Sequence, residues 1–193
     1  MYVVDNSAVV VAKINEFKSS LQCCGLCVMN LVGLDFKTIP TGKLLILSAQ
    51  NNCLIINLSR LDCVPKTLKQ FLADESFCFV GTGMSDIVEV LQYDDMQCGT
   101  GIDIGNFAAR FLKKPKIERY GLADLGGEVG LMDIKKPIVI GEIFQDWSGK
   151  DFSKEEIRYV VHKAYTSYVI MERLFQPKDL FSWVWNPFSS LRA

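Results

Sequence analysis

The chain has 193 residues, 49% hydrophobic and 22% charged, with a formal net charge of −1. Such a composition excludes a disordered or fibrous protein, and the length suits one domain with a real core. Without a basic excess, overall charge cannot drive nucleic-acid binding, so any such binding must come from a local patch.

Met1 to Val11 contains Asp5 and no basic leader, so no secretory signal is expected. The seven cysteines (Cys23, Cys24, Cys27, Cys53, Cys63, Cys78 and Cys98) read as reduced, mostly buried thiols of an intracellular, cytoplasmic or nuclear protein. No apolar run reaches the roughly 18 residues of a transmembrane helix, so no membrane span is expected.

In chain order, the apolar run Ala8 to Ala12 reads as an edge strand. Ile14, Phe17 and Leu21 recur at helical spacing and predict a short amphipathic helix over 13–22. Three strands come next, over 27–36, 43–48 and 53–58, the last two joined as an antiparallel hairpin through Gln50-Asn51-Asn52. Pro65 opens a helix over 66–72. A short buried strand covers 77–80, and Gly81 and Gly83 lead into a helix over about 85–91. A further short strand centres on Ile102, with helices over 106–112 and 122–131. Residues 132–152 read as a long surface segment.

The last helix carries the strongest local signal. Ser153-Lys154-Glu155-Glu156 is a capping box, and Pro177 stands past the expected end near Leu174. A leading meander followed by alternating strands and helices predicts an α/β domain, a mixed sheet of about five or six strands flanked by helices. The domain is expected to span residues 1–176, with an apolar tail over 177–193 that crowds Leu180, Phe181, Trp183, Val184, Trp185, Phe188 and Leu191. That tail needs a surface to pack on: its own domain, a second subunit or a partner.

Several strings look chemical and have plainer readings. Cys24-Gly25-Leu26-Cys27 lacks two further zinc ligands, so core cysteines are expected there. Gly81-Thr82-Gly83 lacks the Lys-Ser/Thr of a phosphate loop and reads as a close strand-to-helix turn. His162, the single histidine, reads as an ordinary helix residue facing away from the neighbouring Lys163. Lys113-Lys114-Pro115-Lys116, with Arg110 and Arg119, is as consistent with a solvated loop as with a nucleic-acid contact, and Lys135-Lys136 adds little.

Three segments carry a family resemblance. They are Val32-Gly33-Leu34-Asp35-Phe36-Lys37 at a strand end, Phe79-Val80-Gly81-Thr82-Gly83-Met84-Ser85-Asp86 across a strand-to-helix turn, and Tyr159-Val160-Val161-His162-Lys163 on the last helix. In this order they resemble the signature segments of the DEDD 3′–5′ exonucleases of the ribonuclease H-like superfamily, in the tyrosine subclass. The resemblance spans roughly residues 25–175, takes in Asp103 and Trp147, and leans towards small plant Werner-exonuclease-like proteins.

The resemblance implies four converging acids that hold two divalent ions roughly 3.5–4 Å apart for phosphodiester hydrolysis. It implies that Asp35, Asp86 and Tyr159 occupy inherited catalytic positions, with Asp35 and Asp86 as metal ligands if any metal binds. From the residues alone, the two aspartates also fit a strand end and a helix cap. Lys37 and Lys163 stand where the family has Glu and Asp. A like-charge pair at ~4 Å costs about 4 kcal/mol at an effective dielectric of ~20, and a divalent ion doubles it. The expectation is therefore a catalytically impaired pseudo-exonuclease with no cofactor, acting by binding a protein partner, active exonuclease relatives, a homo-oligomer or nucleic acid. The alternative is a weak Mg2+- or Mn2+-dependent 3′–5′ exonuclease on single-stranded RNA or DNA, with an acid such as Asp103 standing in as a ligand.

Overall fold

The computed structural model describes residues 2–22, 30–40, 42–131, 134 and 153–175. The elements in chain order are β1 (Tyr2–Val4), α1 (Ser7–Gln22), β2 (Asn30–Ile39), β3 (Gly42–Ala49), β4 (Asn52–Asn57), α2 (Lys66–Ala73), β5 (Phe77–Gly81), α3 (Met84–Tyr93), β6 (Gly101–Asp103), α4 (Ile104–Phe111), α5 (Leu122–Glu128) and α6 (Lys154–Leu174). Short 3-10 turns cover Leu58–Arg60 and Pro115–Arg119.

The strands form one mixed six-stranded sheet in the order β1-β4-β3-β2-β5-β6. β2, β3 and β4 make the antiparallel meander, whereas β1 runs parallel to β4, β5 to β2 and β6 to β5. This is the α/β architecture that the order of elements predicts.

Successive side chains of a strand leave on opposite faces, so β2 serves two layers at once. Val32 and Leu34 enter a core shared with Val10, Ile14, Phe17 and Leu21 of α1, Leu68, Phe71 and Leu72 of α2, and Met84, Ile87 and Leu91 of α3. Phe71 lies at its centre, edge-on to Phe17, Phe77 and Phe79 at centroid distances of 6.2, 4.8 and 5.5 Å. Each such pair adds about 0.5–1.5 kcal/mol beyond its buried area. The other face of the sheet is covered by α4, α5 and α6. There Ile39, Leu44, Ile46 and Ile55 meet Val160 and Ala164, while Val80 meets Ile104, Ala108, Leu125, Ile170 and Met171.

The expected edge strand at Ala8 to Ala12 is helix. Asn6 Oδ1 accepts hydrogen bonds from the Ala8 and Val9 amides at 2.9 and 3.3 Å, which starts α1 before the valine run. Val10 then heads the stripe continued by Ile14, Phe17 and Leu21, all buried. Strand β1 lies further back, at Tyr2–Val4, where only Val4 is buried.

The other predicted elements hold, with ends shifted by a few residues. Helix α6 has the predicted bounds, and its capping box is formed. Ser153 Oγ accepts from the Glu156 amide at 3.2 Å, and Glu156 Oε2 accepts from the Ser153 amide at 2.7 Å. The basic loop is a 3-10 turn anchored by buried Ile117, with Lys114 Nζ paired to Glu128 Oε2 at 2.6 Å. Cys23, Cys24, Cys27, Lys135, Lys136, Trp147 and the tail over 177–193 lie outside the described residues, as does all of 132–152 except Ile134. Among the described residues no helix is long and apolar enough to cross a membrane.

Candidate functional site

Alternation along β2 places Gly33, Asp35, Lys37 and Ile39 on the face that α6 covers. Gly33 sets how closely the helix approaches. A Cβ there would stand 2.0 Å from the Ala164 carbonyl oxygen and 3.0 Å from Tyr168 Cβ, so α6 rests on the bare strand backbone. Two residues further on, Asp35 is 3% exposed. Burying a lone carboxylate is expensive, and a cation close by offsets that cost.

Lys37 supplies it. Its Nζ stands 2.9 Å from Asp35 Oδ2, with both side chains largely buried. The contact is an ion pair by distance but lacks hydrogen-bond angles, and Oδ2 has no hydrogen-bond partner among the described residues. The same ammonium lies 5.3 Å from the centroid of the half-buried Tyr159 ring, a cation–π distance.

One turn after Tyr159, His162 is half-buried, with Nδ1 3.5 Å from Thr166 Oγ1. Burial, and then the positive charge of Lys37, holds its pKa below the usual 6.5. His162 and Lys163 differ in exposure, as expected of neighbours on different faces of the helix, and the charge that reaches His162 is that of Lys37 on β2. Lys163 itself is exposed and makes no ion pair among the described residues.

The second motif reaches the same end of the sheet by topology. β5 lies parallel to β2, with Val80 opposite Gly33. A Cβ on Gly81 would meet the Leu34 carbonyl oxygen at 2.5 Å, so the turn into α3 abuts the strand just before Asp35. Gly83 caps α3 in the left-handed conformation, φ 66°, which favours glycine. Asp86 is exposed in the first turn of α3, where a negative charge suits the helix end. No hydrogen bond or ion pair joins it to Asp35 or Lys37 among the described residues.

Asp103 has a task other than that of a stand-in metal ligand. Its Oδ2 accepts from the Gly83 and Met84 amides at 2.8 and 3.5 Å, and its Oδ1 from the Gly105 and Asn106 amides, both at 3.1 Å. One carboxylate thus caps both α3 and α4, and both its oxygens are engaged. An aspartate directly before the amphipathic run from Ile104 is a cap signal that the sequence carried; its second helix is a long-range contact.

Among the described residues, no group of three or more His, Cys, Asp or Glu side chains is placed to hold a metal ion. The buried acceptor a metal would use, Asp35 Oδ2, faces an ammonium at 2.9 Å. A two-ion centre does not fit the described donor set, because the Lys37 ammonium already stands against the one buried carboxylate. Thiol chemistry is also disfavoured at three cysteines. Burial raises Cys53, Cys78 and Cys98, the last to about 11 with Cys78 contributing, which keeps these thiols protonated.

No family model matches the chain, and no curated protein matches it in sequence. Solved structures do match. An EXD2 exonuclease domain soaked in Mn and GMP is similar at 19% identity, over 99% of this chain and 98% of that chain, with a TM-score of 0.51. The same domain soaked in Mn matches at 19% identity over 89% and 87%, and soaked in Mg at 18% over 94% and 92%, both with a TM-score of 0.51. At this identity the likeness establishes the fold: a six-stranded mixed sheet flanked by helices, as in exonuclease domains.

Proposed function

We propose that this chain is a catalytically impaired relative of the tyrosine-subclass DEDD 3′–5′ exonucleases, similar in kind to the small plant Werner-exonuclease-like proteins. It works by binding rather than by hydrolysis, and its partner is a protein: an active relative of the same fold or another copy of itself. One observation carries the reading, the Lys37 ammonium 2.9 Å from the buried Asp35 carboxylate. An internal cation there satisfies the charge that would otherwise call for a divalent ion. It also repels such an ion, by about 4 kcal/mol per unit charge at ~4 Å and an effective dielectric of ~20. The capping role of Asp103 removes the acid that a rewired metal site would need. The net charge of −1 argues against nucleic acid as the main partner.

The test is an exonuclease assay on single-stranded RNA and DNA with Mg2+ and with Mn2+, comparing the natural chain with the double variant Lys37→Glu/Lys163→Asp. The natural chain should release no nucleotides above background. The double variant should bind Mn2+ in calorimetry and gain measurable hydrolysis. Hydrolysis by the natural chain at ordinary enzyme rates would sink the proposal and favour the weak exonuclease instead.

A further inference from the structure

Strand β6 ends the sheet and pairs only with β5, so its outer edge has no strand partner among the described residues. The helices beside it lie on opposite faces: Met84 and Ile87 of α3 belong to one core, Ile104 and Ala108 of α4 to the other. The free edge therefore runs along the floor of a groove of about 740 Å³. Met84 and Val88 form one wall, Phe107 and Arg110 the other, and Ile102 lies on the floor. An unpaired edge between apolar walls is a template for one more strand.

The end of α6 points to the occupant. Phe175, the residue after the helix, places its ring 5.6 Å from Phe107 and 6.2 Å from Phe111. Phe107 is also part of the groove wall, so the chain leaves α6 beside the slot. Phe175 is still 39% exposed, which leaves room for a neighbour. Five residues on, residues 180–185 read Leu-Phe-Ser-Trp-Val-Trp, the aromatic and β-branched composition of a strand. Five extended residues reach at most roughly 17 Å, enough to enter a groove that begins at Phe107. Charge agrees as well. Asp179 is the only acid after Phe175, and Arg110 is exposed on the groove wall with no ion pair among the described residues.

We propose that residues 180–185 dock in cis along the edge of β6 between α3 and α4, with Asp179 paired to Arg110. The segment supplies the missing edge strand and buries Phe181, Trp183 or Trp185 against Met84, Val88 and Phe107. This holds whether or not the chain hydrolyses nucleic acid.

The test uses the full chain with benzoylphenylalanine in place of Ser85, an exposed residue on the groove rim. Equal amounts of unlabelled and nitrogen-15-labelled chains are mixed, irradiated and mapped by mass spectrometry. The expected result is a cross-link from position 85 to residues 180–185 carrying the same isotope label. In the Arg110→Asp background its yield should fall about threefold to fivefold, the effect of one exposed ion pair, and Asp179→Arg should restore it. The variant Trp183→Ser/Trp185→Ser should abolish it while the circular dichroism of the domain is unchanged. Cross-links that join different labels, that map to another segment, or that do not form would each overturn the proposal.

Discussion

The ammonium of Lys37 stands 2.9 Å from Oδ2 of Asp35, two residues apart on one strand and on one face of the sheet. Removing only one member of such a buried pair strands the other. Lys37→Met should lower unfolding free energy by about 3 kcal/mol, read from urea denaturation. Lys37→Met with Asp35→Leu should recover most of that loss, since an apolar pair of similar volume needs no counter-charge. A single variant as stable as the natural chain would show that the pair contributes nothing to the fold.

His162 gives the cluster a dependence on pH. Its folded pKa lies below 6.5, through burial first and the Lys37 charge second. Below 6.5 the unfolded chain binds a proton more readily than the folded chain, so stability is fully present above that value and is lost as pH falls through it towards the folded pKa. The urea midpoint of the natural chain should drop as pH falls below about 6.5. The His162→Gln variant should show a smaller drop over the same window, and equal slopes for the two chains would contradict this.

Asp103 should matter for stability and not for metal. Asp103→Ala removes the acceptors of four backbone amides at two helix starts. The expected cost is about 2 kcal/mol, about 1 for each cap. In the Lys37→Glu/Lys163→Asp background, Mn2+ affinity measured by calorimetry should be unchanged by Asp103→Asn. A marked loss of affinity would make Asp103 a ligand after all.

Gly33 should tolerate no side chain. With Ala164 O only 2.0 Å from the position of a Cβ, Gly33→Ala must push α6 off the sheet. A loss of about 3 kcal/mol or more is expected in urea, at the upper end of overpacking penalties. A small loss would mean that the helix can slide at little cost.

The parts legible in the sequence are those governed by local rules. Ser153 and Glu156 mark the start of α6, and an apolar, β-branched run marks β2, because capping and strand propensity need only near neighbours. The valine run at 9–11 misled because β-branched residues favour strands in general, whereas here Asn6 and the 10-14-17-21 stripe decide. Strand β1 is three residues long with one buried side chain, too short to show a period. At the site, the charge swap at Lys37 was visible as a residue type. Its place 5.3 Å from the Tyr159 ring was not, since that depends on how α6 lies across β2.

The contact between Gly33 and Ala164 joins positions 131 apart in the chain (164 − 33). During synthesis, β2 is therefore complete long before the helix that covers it exists. Until α6 arrives, Asp35 and Lys37 face water, and the inner surface of the meander presents Leu44, Ile46 and Ile55 uncovered. Folding of this domain is consequently a late event for the ribosome, with a long interval in which the half-made sheet is open to capture by chaperones or by other nascent sheets.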